Sequence, residues 1–478
     1  MDVDTIAAVS TAPGVGGIAI IRISGPGALR VLKGLTTGPS TRPEPRRAVL
    51  VDLVDPDDGS PLDRAVATFF SGPASYTGED VVELSCHGGW LVPELVLEAC
   101  ERMGARRADP GEFTRRAYLR GKLDLVQAEA TADLIGARSR AAHRAALHQL
   151  DRGLSFRLAA LREGIVHLEA LLAHHIDFPE EDDAPVPVGR ILDESRQLLD
   201  AVDALLSTAP EGELLREGAL TVLAGRPNAG KSSLYNALLG VERAIVTEEP
   251  GTTRDALEAT VQLGGFPFRL VDTAGLREAD SGVERLGIEY ARRYLERADL
   301  ILFCVPAGEG VTEADALFLA GLEGRPVVIL ETKADLVPSG PTPVAEVQAA
   351  GVQASGGSGA GSPGTNDAAV ATARSLRVSV VDGEGLDRLR ELLPELVYSS
   401  VVSAGADAPI VTRERHARAL GRARAELAEF REGLQSGLPA EIAATHLRPA
   451  ETALEELLGT IEVEDILDVV FREFCVGK

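Results

Sequence analysis

Short apolar runs separated by clusters of turn residues fill the first 120 positions. Ile18–Ile23, Val66–Phe70 and Val81–Ser85 read as strands and Leu91–Met103 as a helix, so an α+β domain is expected over residues 1–121. From about Leu123 the period changes. Leu147, Leu150, Leu154, Leu158, Leu161, Ile165, Leu168 and Leu172 recur at steps of three and four. That spacing predicts one stripe of a single long helix that must bury against other helices. The acidic, proline-bearing stretch Asp177–Pro187 reads as a solvated loop. A second helix runs to about Leu206, and the first helical segment is set at 122–216.

Residues 219–397 switch to apolar strands alternating with amphipathic helices, the order of a parallel sheet, so an α/β domain is expected over 217–398. After Ala404 the pattern is helical again, with Leu420, Leu427, Phe430 and Leu434 on one face, then Leu454, Leu457 and Leu458. The α/β domain is thus predicted as an insertion in a helical domain whose second part is 399–478. Within it, Pro338–Arg374 is rich in Gly, Ser, Ala and Pro, notably Ser355–Thr365. It reads as a flexible loop insertion without chemistry.

Composition narrows this picture. A chain of 478 residues exceeds what one core supports. Its 45% apolar and 25% charged residues describe a globular protein. No apolar run reaches membrane-spanning length and no leader-like start is present, so a cytoplasmic location is expected. Cys86, Cys100, Cys304 and Cys475 lack metal-site spacing, which argues against a disulfide framework or zinc. A net charge of −25 disfavours a broadly basic RNA-coating surface; an RNA partner would need a local patch or a second protein. Of 48 basic residues only Lys33, Lys122, Lys231, Lys333 and Lys478 are lysine. Where arginine serves elsewhere, a lysine marks a place suited to a compact ammonium.

The chemistry concentrates in four motifs. Gly225-Arg-Pro-Asn-Ala-Gly230-Lys231-Ser232 joins an expected strand, Ala219–Ala224, to an expected helix, Ser233–Leu239. This is the phosphate-binding loop in its required context: backbone N–H groups and the helix N-terminus meet phosphate oxygens. Lys231 would reach the β- and γ-phosphates and Ser232 would ligate Mg²⁺. Phe268–Val271 leads to Asp272-Thr273-Ala274-Gly275, where a carboxylate can hold the magnesium shell and a glycine N–H can meet the γ-phosphate. In Gly251-Thr252-Thr253-Arg-Asp255, Thr253 can complete the metal sphere while sensing that phosphate. Val327–Leu330 delivers Thr332-Lys333-Ala334-Asp335, whose Asp335 can accept from the N1 and N2 donors of guanine, a pairing adenine does not offer. GTP binding and hydrolysis follow, within Gly225–Val381.

Two departures matter. The base motif usually begins with asparagine, and Thr332 stands there, so weaker base affinity is expected with selectivity kept by Asp335. Leu276 occupies the place of the water-orienting glutamine of Ras-like GTPases, so either hydrolysis is very slow or another polar group serves.

The motifs Gly225–Ser233, Gly251–Asp255 and Asp272–Glu278 resemble the MnmE (TrmE) family of tRNA-modification GTPases. So do Ser75–Asp80 with His87-Gly-Gly89, Pro110–Thr114 through Gly121–Asp124, and the terminal Phe474-Cys-Val-Gly-Lys478. The resemblance implies an N-terminal folate-binding domain, a helical domain and an inserted Ras-like G domain. It implies a GTP site built from Asn228, Ala229, Gly230, Lys231, Ser232, Ser233, Thr247, Glu248, Glu249, Pro250, Gly251, Thr252 and Thr253. Asp272, Thr273, Ala274, Gly275, Thr332, Lys333, Ala334, Asp335, Ser379, Val380 and Val381 complete that site.

It further implies K⁺ on Asn228, Thr247, Glu249 and Thr252, beside the β/γ bridge where charge develops, with G domains pairing face to face. Glu284 would orient water, its alternative being a solvated first-turn carboxylate. Arg22, Glu83, Lys122 and Lys478 would hold 5-formyl- or 5,10-methylene-tetrahydrofolate in a homodimeric domain; surface ion pairing is the alternative for this set. For Cys475 a thiol near the one-carbon unit and a buried structural thiol both stand. The implied function is modification of C5 of the wobble uridine of certain tRNAs, in a heterotetramer with an FAD-dependent MnmG-type partner. The alternative is a regulatory or assembly GTPase without a direct part in that chemistry. Gly14-Val-Gly-Gly17 precedes a strand, which rejects a dinucleotide reading.

Overall fold

The structure is a computed structural model that describes residues 4–37, 43–177, 186–241, 258–273, 284–322, 325–337, 346–347, 373–404, 408–460, 467, 470–472, 474 and 476–477. It divides into two compact units: 1–135 with 147–202 and 418–478, and 136–146 with 203–417.

The first unit opens with strands β1 (Ile6–Val9), β2 (Ile18–Ser24), β3 (Ala48–Val54), β4 (Pro61–Phe70), β5 (Val81–His87) and β6 (Arg106–Arg107). They form one sheet in the order β3-β4-β5-β2-β1-β6, antiparallel except for β1 with β6. Alternation does the sorting. Ala19, Ile21 and Ile23 on β2 are buried, in a core shared with Val31, Leu32 and Leu35 of helix Ala28–Leu35 and Val96 of helix Val92–Arg102. The opposite parity puts Arg22 across from Glu83 in the β2–β5 register.

The leucine stripe is not one helix. Helix Arg140–Leu150 stops, Arg152 takes φ +67°, and helix Gly153–Asp177 begins. A left-handed arginine cannot continue a right-handed helix, so Leu147 and Leu150 belong to a separate element. From Leu154 to Leu172 the stripe is buried as expected. It packs on helix Leu447–Leu458, whose Leu454 and Leu457 are fully buried. Arg162 crosses between the two helices to Glu451 (2.8 Å) and Glu455 (2.7 Å).

The second unit holds β7 (Ala219–Gly225), β8 (Glu258–Leu263), β9 (Phe266–Asp272), β10 (Leu300–Pro306), β11 (Val327–Thr332), β12 (Glu346–Val347) and β13 (Ala373–Arg377). The order is β12-β13-β11-β10-β7-β9-β8, parallel apart from β8 and β12. Ala219–Ala224 and all of β10 are buried, the uninterrupted apolar run of strands covered on both faces. Glu346–Val347 and Ala373–Arg374 fall inside the stretch expected to be an insertion and pair with each other. The remainder of Pro338–Arg374 lies outside the described residues.

Tyr398 ties the strands to the flanking helices. Its hydroxyl donates to the Pro267 carbonyl (2.6 Å), also lies 3.1 Å from the Leu214 carbonyl, and meets the Ala219 N–H at 3.3 Å. Nearby, the Glu211 carboxylate accepts from the N–H groups of Ser400 and Val401, both at 3.0 Å, and so caps helix Ser399–Ala404. Among the described residues no helix is long and apolar enough to cross a membrane.

Candidate nucleotide site

The parallel strands end where their helices begin, and that edge is where open α/β sheets take ligands. At the end of β7 the chain turns through Gly225 (φ +131°), Asn228 (φ +61°) and Gly230 (φ +85°) into helix Lys231–Val241. Gly225 has no alternative: a Cβ there would meet the Cys304 carbonyl oxygen at 2.3 Å. Asn228 is among the few side-chain-bearing residue types that accept a left-handed backbone, and its side chain is exposed on the loop.

Lys231 folds back over the loop, its Nζ donating to the carbonyls of Gly225 (3.0 Å) and Arg226 (2.7 Å). Arg226 braces the loop from outside through Glu309 (3.1 Å), Asp315 (3.3 Å) and the Gly310 carbonyl (3.2 Å). Nothing in the motif spacing marks Arg226, since any residue satisfies that position. Beneath the loop, burial pushes the Cys304 thiol up to about 12 despite the nearby Lys231 charge, which makes it inert packing.

A cavity of about 1050 Å³ opens above the loop, lined by Asn228, Gly230, Lys231, Ser232, Thr273 and Lys333 among others. Ser232 and Ser233 are exposed at the helix N-terminus, whereas Ala229 is buried. Asp272 ends β9, nearly buried, and the Thr273 hydroxyl donates to the Leu223 carbonyl at 2.7 Å. The cavity continues along an apolar wall that includes Leu295, Phe318 and Leu322.

After β11 only Lys333 lines this cavity; Thr332, Asp335, Ser379, Val380 and Val381 lie outside its lining. Thr332 is buried, its hydroxyl donating to the Ala229 carbonyl at 2.6 Å, with the Val305 carbonyl at 3.2 Å. Lys333 takes φ +58°, and the Ala334 N–H donates to the Val378 carbonyl (3.2 Å). Asp335 Oδ1 accepts from the Ser379 hydroxyl at 2.9 Å. Ser379 is fully buried and held by its own N–H on the Glu384 carbonyl (2.9 Å). Val380 and Val381 are exposed.

Asn228, Lys231, Ser232, Thr273 and Lys333 therefore share one cavity, and Thr332 joins its base motif to its phosphate loop. Thr247, Glu248, Glu249, Pro250, Gly251, Thr252, Thr253, Ala274 and Gly275 lie outside the described residues. Glu284 opens helix Glu284–Arg297, and its side chain lies outside them too.

The first unit holds the other expected group. Arg22 Nε and Nη2 donate to Glu83 Oε1 at 3.0 and 2.8 Å, while Arg22 Nη1 is buried without a partner among the described residues. Its guanidinium lies 5.4 Å from the Tyr76 ring and 5.7 Å from the Phe113 ring. Lys122 is exposed and donates to the Pro73 carbonyl at 3.0 Å. Lys478 and Cys475 lie outside the described residues; Gly477 rests against β1, accepting from the Ser10 hydroxyl at 3.0 Å.

The loop Ser75–Asp80 is locked by Glu79, which is buried and accepts from Ser24 (2.7 Å), Arg120 (2.7 Å) and Arg116 (3.2 Å). Arg116 also reaches Asp4 (2.6 Å) and Glu112 (2.9 Å). Sequence reading missed this network; only the shared helix positions of Glu112 and Arg116 hinted at it.

Known proteins resemble this chain along its whole sequence. Residues 5–122 match the family described as GTP-binding protein TrmE N-terminus, and residues 125–475 match the MnmE helical domain. The tRNA modification GTPase MnmE of Heliobacterium modesticaldum is 41% identical over 488 residues, covering 99% of each chain. Those of Moorella thermoacetica and Laribacter hongkongensis are 42% and 43% identical over 481 residues, also covering 99% of each chain. Among solved structures, the G domain of T. maritima FeoB is 25% identical and covers 38% of this chain and 97% of its own, with a TM-score of 0.24. With a phosphate loop of the required geometry and relatives aligned from end to end, this chain belongs to the MnmE family of tRNA modification GTPases.

Proposed function

We propose that this GTPase is stimulated by K⁺ and works with an FAD-dependent MnmG-type partner to modify C5 of the wobble uridine of certain tRNAs. The observation that carries this reading is identity near 40% over 99% of the chain to tRNA modification GTPases, combined with the phosphate-loop geometry. Lys231 swings from its own loop carbonyls onto the β- and γ-phosphates, and Ser232 with Thr253 ligates Mg²⁺. Asn228 supports the K⁺ assignment because its left-handed backbone presents an exposed amide at the mouth of the phosphate cavity. Thr247, Glu249 and Thr252 complete that cation's shell, and Glu284 orients the attacking water. Asp335, steadied by Ser379, reads guanine.

The one-carbon unit is carried by 5-formyl- or 5,10-methylene-tetrahydrofolate at Arg22, Glu83, Lys122 and Lys478. Arg22 Nη1, buried without a partner among the described residues, suits an anionic or carbonyl group of such a ligand. The docking of Gly477 on β1 brings the preceding-to-last residue onto the same unit. The working assembly is a homodimer within a heterotetramer in the cytoplasm. GTP turnover in K⁺ against Na⁺ at equal ionic strength, with Asn228→Ala alongside, tests the reading. Stimulation of about a hundredfold or more that the substitution removes is expected, the range carried by a single transition-state donor. Equal rates in both salts would remove the roles of Asn228 and Glu284 while leaving GTP binding in place.

A further inference from the structure

Thr332 stands where a guanine motif usually carries asparagine, and its surroundings show what that exchange does. The side chain is 4% exposed and its hydroxyl donates into the phosphate loop, to the Ala229 carbonyl at 2.6 Å. The competing Val305 carbonyl is farther, at 3.2 Å. A hydroxyl owns one proton, whereas an asparagine amide owns two on the same nitrogen. An asparagine can hold the loop with one and offer the other to a ligand. Thr332 cannot do both.

Across the same site Asp335 has the opposite surplus. One oxygen accepts from Ser379 at 2.9 Å, and a carboxylate offers about four lone-pair positions. Acceptors for the N1–H and N2–H donors of guanine are thus available. A donor for the N7 acceptor on the other edge of the base is not supplied by residue 332.

We propose that Thr332 is a tether and not a base reader: it locks the base motif to the phosphate loop, so guanine is selected on its N1/N2 edge alone and N7 goes unread by this side chain. The inference deepens, and rests on, the assignment of a guanine nucleotide to the phosphate loop with Asp335 at the base. The two motifs touch through the Thr332 hydroxyl on the Ala229 carbonyl, and a Cβ added at Gly230 would come within 3.5 Å of Thr332 Cβ. Ala229 immediately precedes Gly230 and Lys231, so releasing it loosens the loop that holds the phosphates. Loss of the hydroxyl therefore weakens the phosphate and base contacts together.

The test is competition against a fluorescent GDP on the full chain, using GDP, 7-deaza-GDP and inosine diphosphate, which lacks the 2-amino group. The unmodified protein should bind GDP and 7-deaza-GDP within about twofold and inosine diphosphate about tenfold or more weakly, the scale of one unmade hydrogen bond in a buried site. Thr332→Val should weaken GDP and 7-deaza-GDP alike, by about tenfold, and Thr332→Ser should restore both. Thr332→Asn should prefer GDP to 7-deaza-GDP by about tenfold.

Tenfold weaker binding of 7-deaza-GDP by the unmodified protein would overturn the proposal without any variant having to fold. Full GDP affinity in Thr332→Val would overturn the tether. Equal binding of GDP and inosine diphosphate would instead sink the Asp335 assignment beneath it, and the 2-amino comparison alone reports that failure.

Discussion

The nucleotide cavity and the Arg22–Glu83 corner of the first unit are both polar, yet they are built from different materials. The cavity is shaped by backbone: left-handed residues at 225, 228, 230 and 333, and carbonyls that receive Lys231 and Thr332. The loop near Arg22 is shaped by side-chain charges, with Glu79, Glu112 and Asp4 interlocked with Arg116, Arg120 and Arg106. Backbone sites have their geometry before a ligand arrives, at the cost of tolerating few residue types at the turning points. Ion-pair sites tolerate sequence change at their rims but depend on every buried charge keeping its partner.

The largest effect should come from the backbone. Gly225→Ala forces a side chain onto φ +131° and into the Cys304 carbonyl. GDP affinity should fall about a hundredfold or more, near 3 kcal/mol, as measured by calorimetric titration. The first unit's own melting should not move. A variant that still binds GDP at the original affinity would show that the loop adapts to a side chain and is not fixed by its backbone.

Next in size is Arg116→Met. It leaves Glu79 and Glu112 buried with one partner fewer each but still paired with Arg120 and Arg106, a loss of about 2 kcal/mol, the scale of a hydrogen bond to a charged group. Urea denaturation should show an early transition for the first unit, with GDP affinity kept. Loss of both properties together would mean that the two materials are not independent.

The smallest effect is on pH. Burial by itself would raise the Glu112 carboxyl, but hydrogen bonds from Arg106, the Asp109 N–H and Arg116 outweigh it and hold the group below its ordinary 4.5. A carboxyl lowered on folding contributes stability above its ordinary value and loses it as pH falls through the lower folded value. Thermal melting should therefore drop progressively below pH 4.5, and Glu112→Gln should flatten that segment of the profile. An unchanged slope in the variant would remove Glu112 from the acid response.

How much of each region could be read in advance follows the same division. The glycine and lysine spacing of the phosphate loop is a local constraint, so the strand, turn and helix at 219–241 were legible from the residues themselves. The Arg22–Glu83 pairing depends on β2 and β5 meeting in one particular register, with partners 61 residues apart. The Glu79 network adds contacts from Ser24, Arg116 and Arg120, which no short-range pattern brings together. The long leucine stripe misled because periodicity cannot see a single left-handed residue: Asp151-Arg152-Gly153 keeps the count nearly in phase while Arg152 takes a left-handed backbone.

The sequence by itself determined the nucleotide chemistry, the alternation of strands and helices around it, and the family, because each is written in neighbouring residues whose spacing the backbone geometry dictates. Tertiary structure alone decided that Thr332 spends its one proton on the phosphate loop, that Arg226 braces that loop against Glu309 and Asp315, and that Ser379 steadies Asp335. Those choices join residues 44 to 103 positions apart. A hydroxyl or carboxylate selects its partner only after the sheet has set which strand ends share an edge.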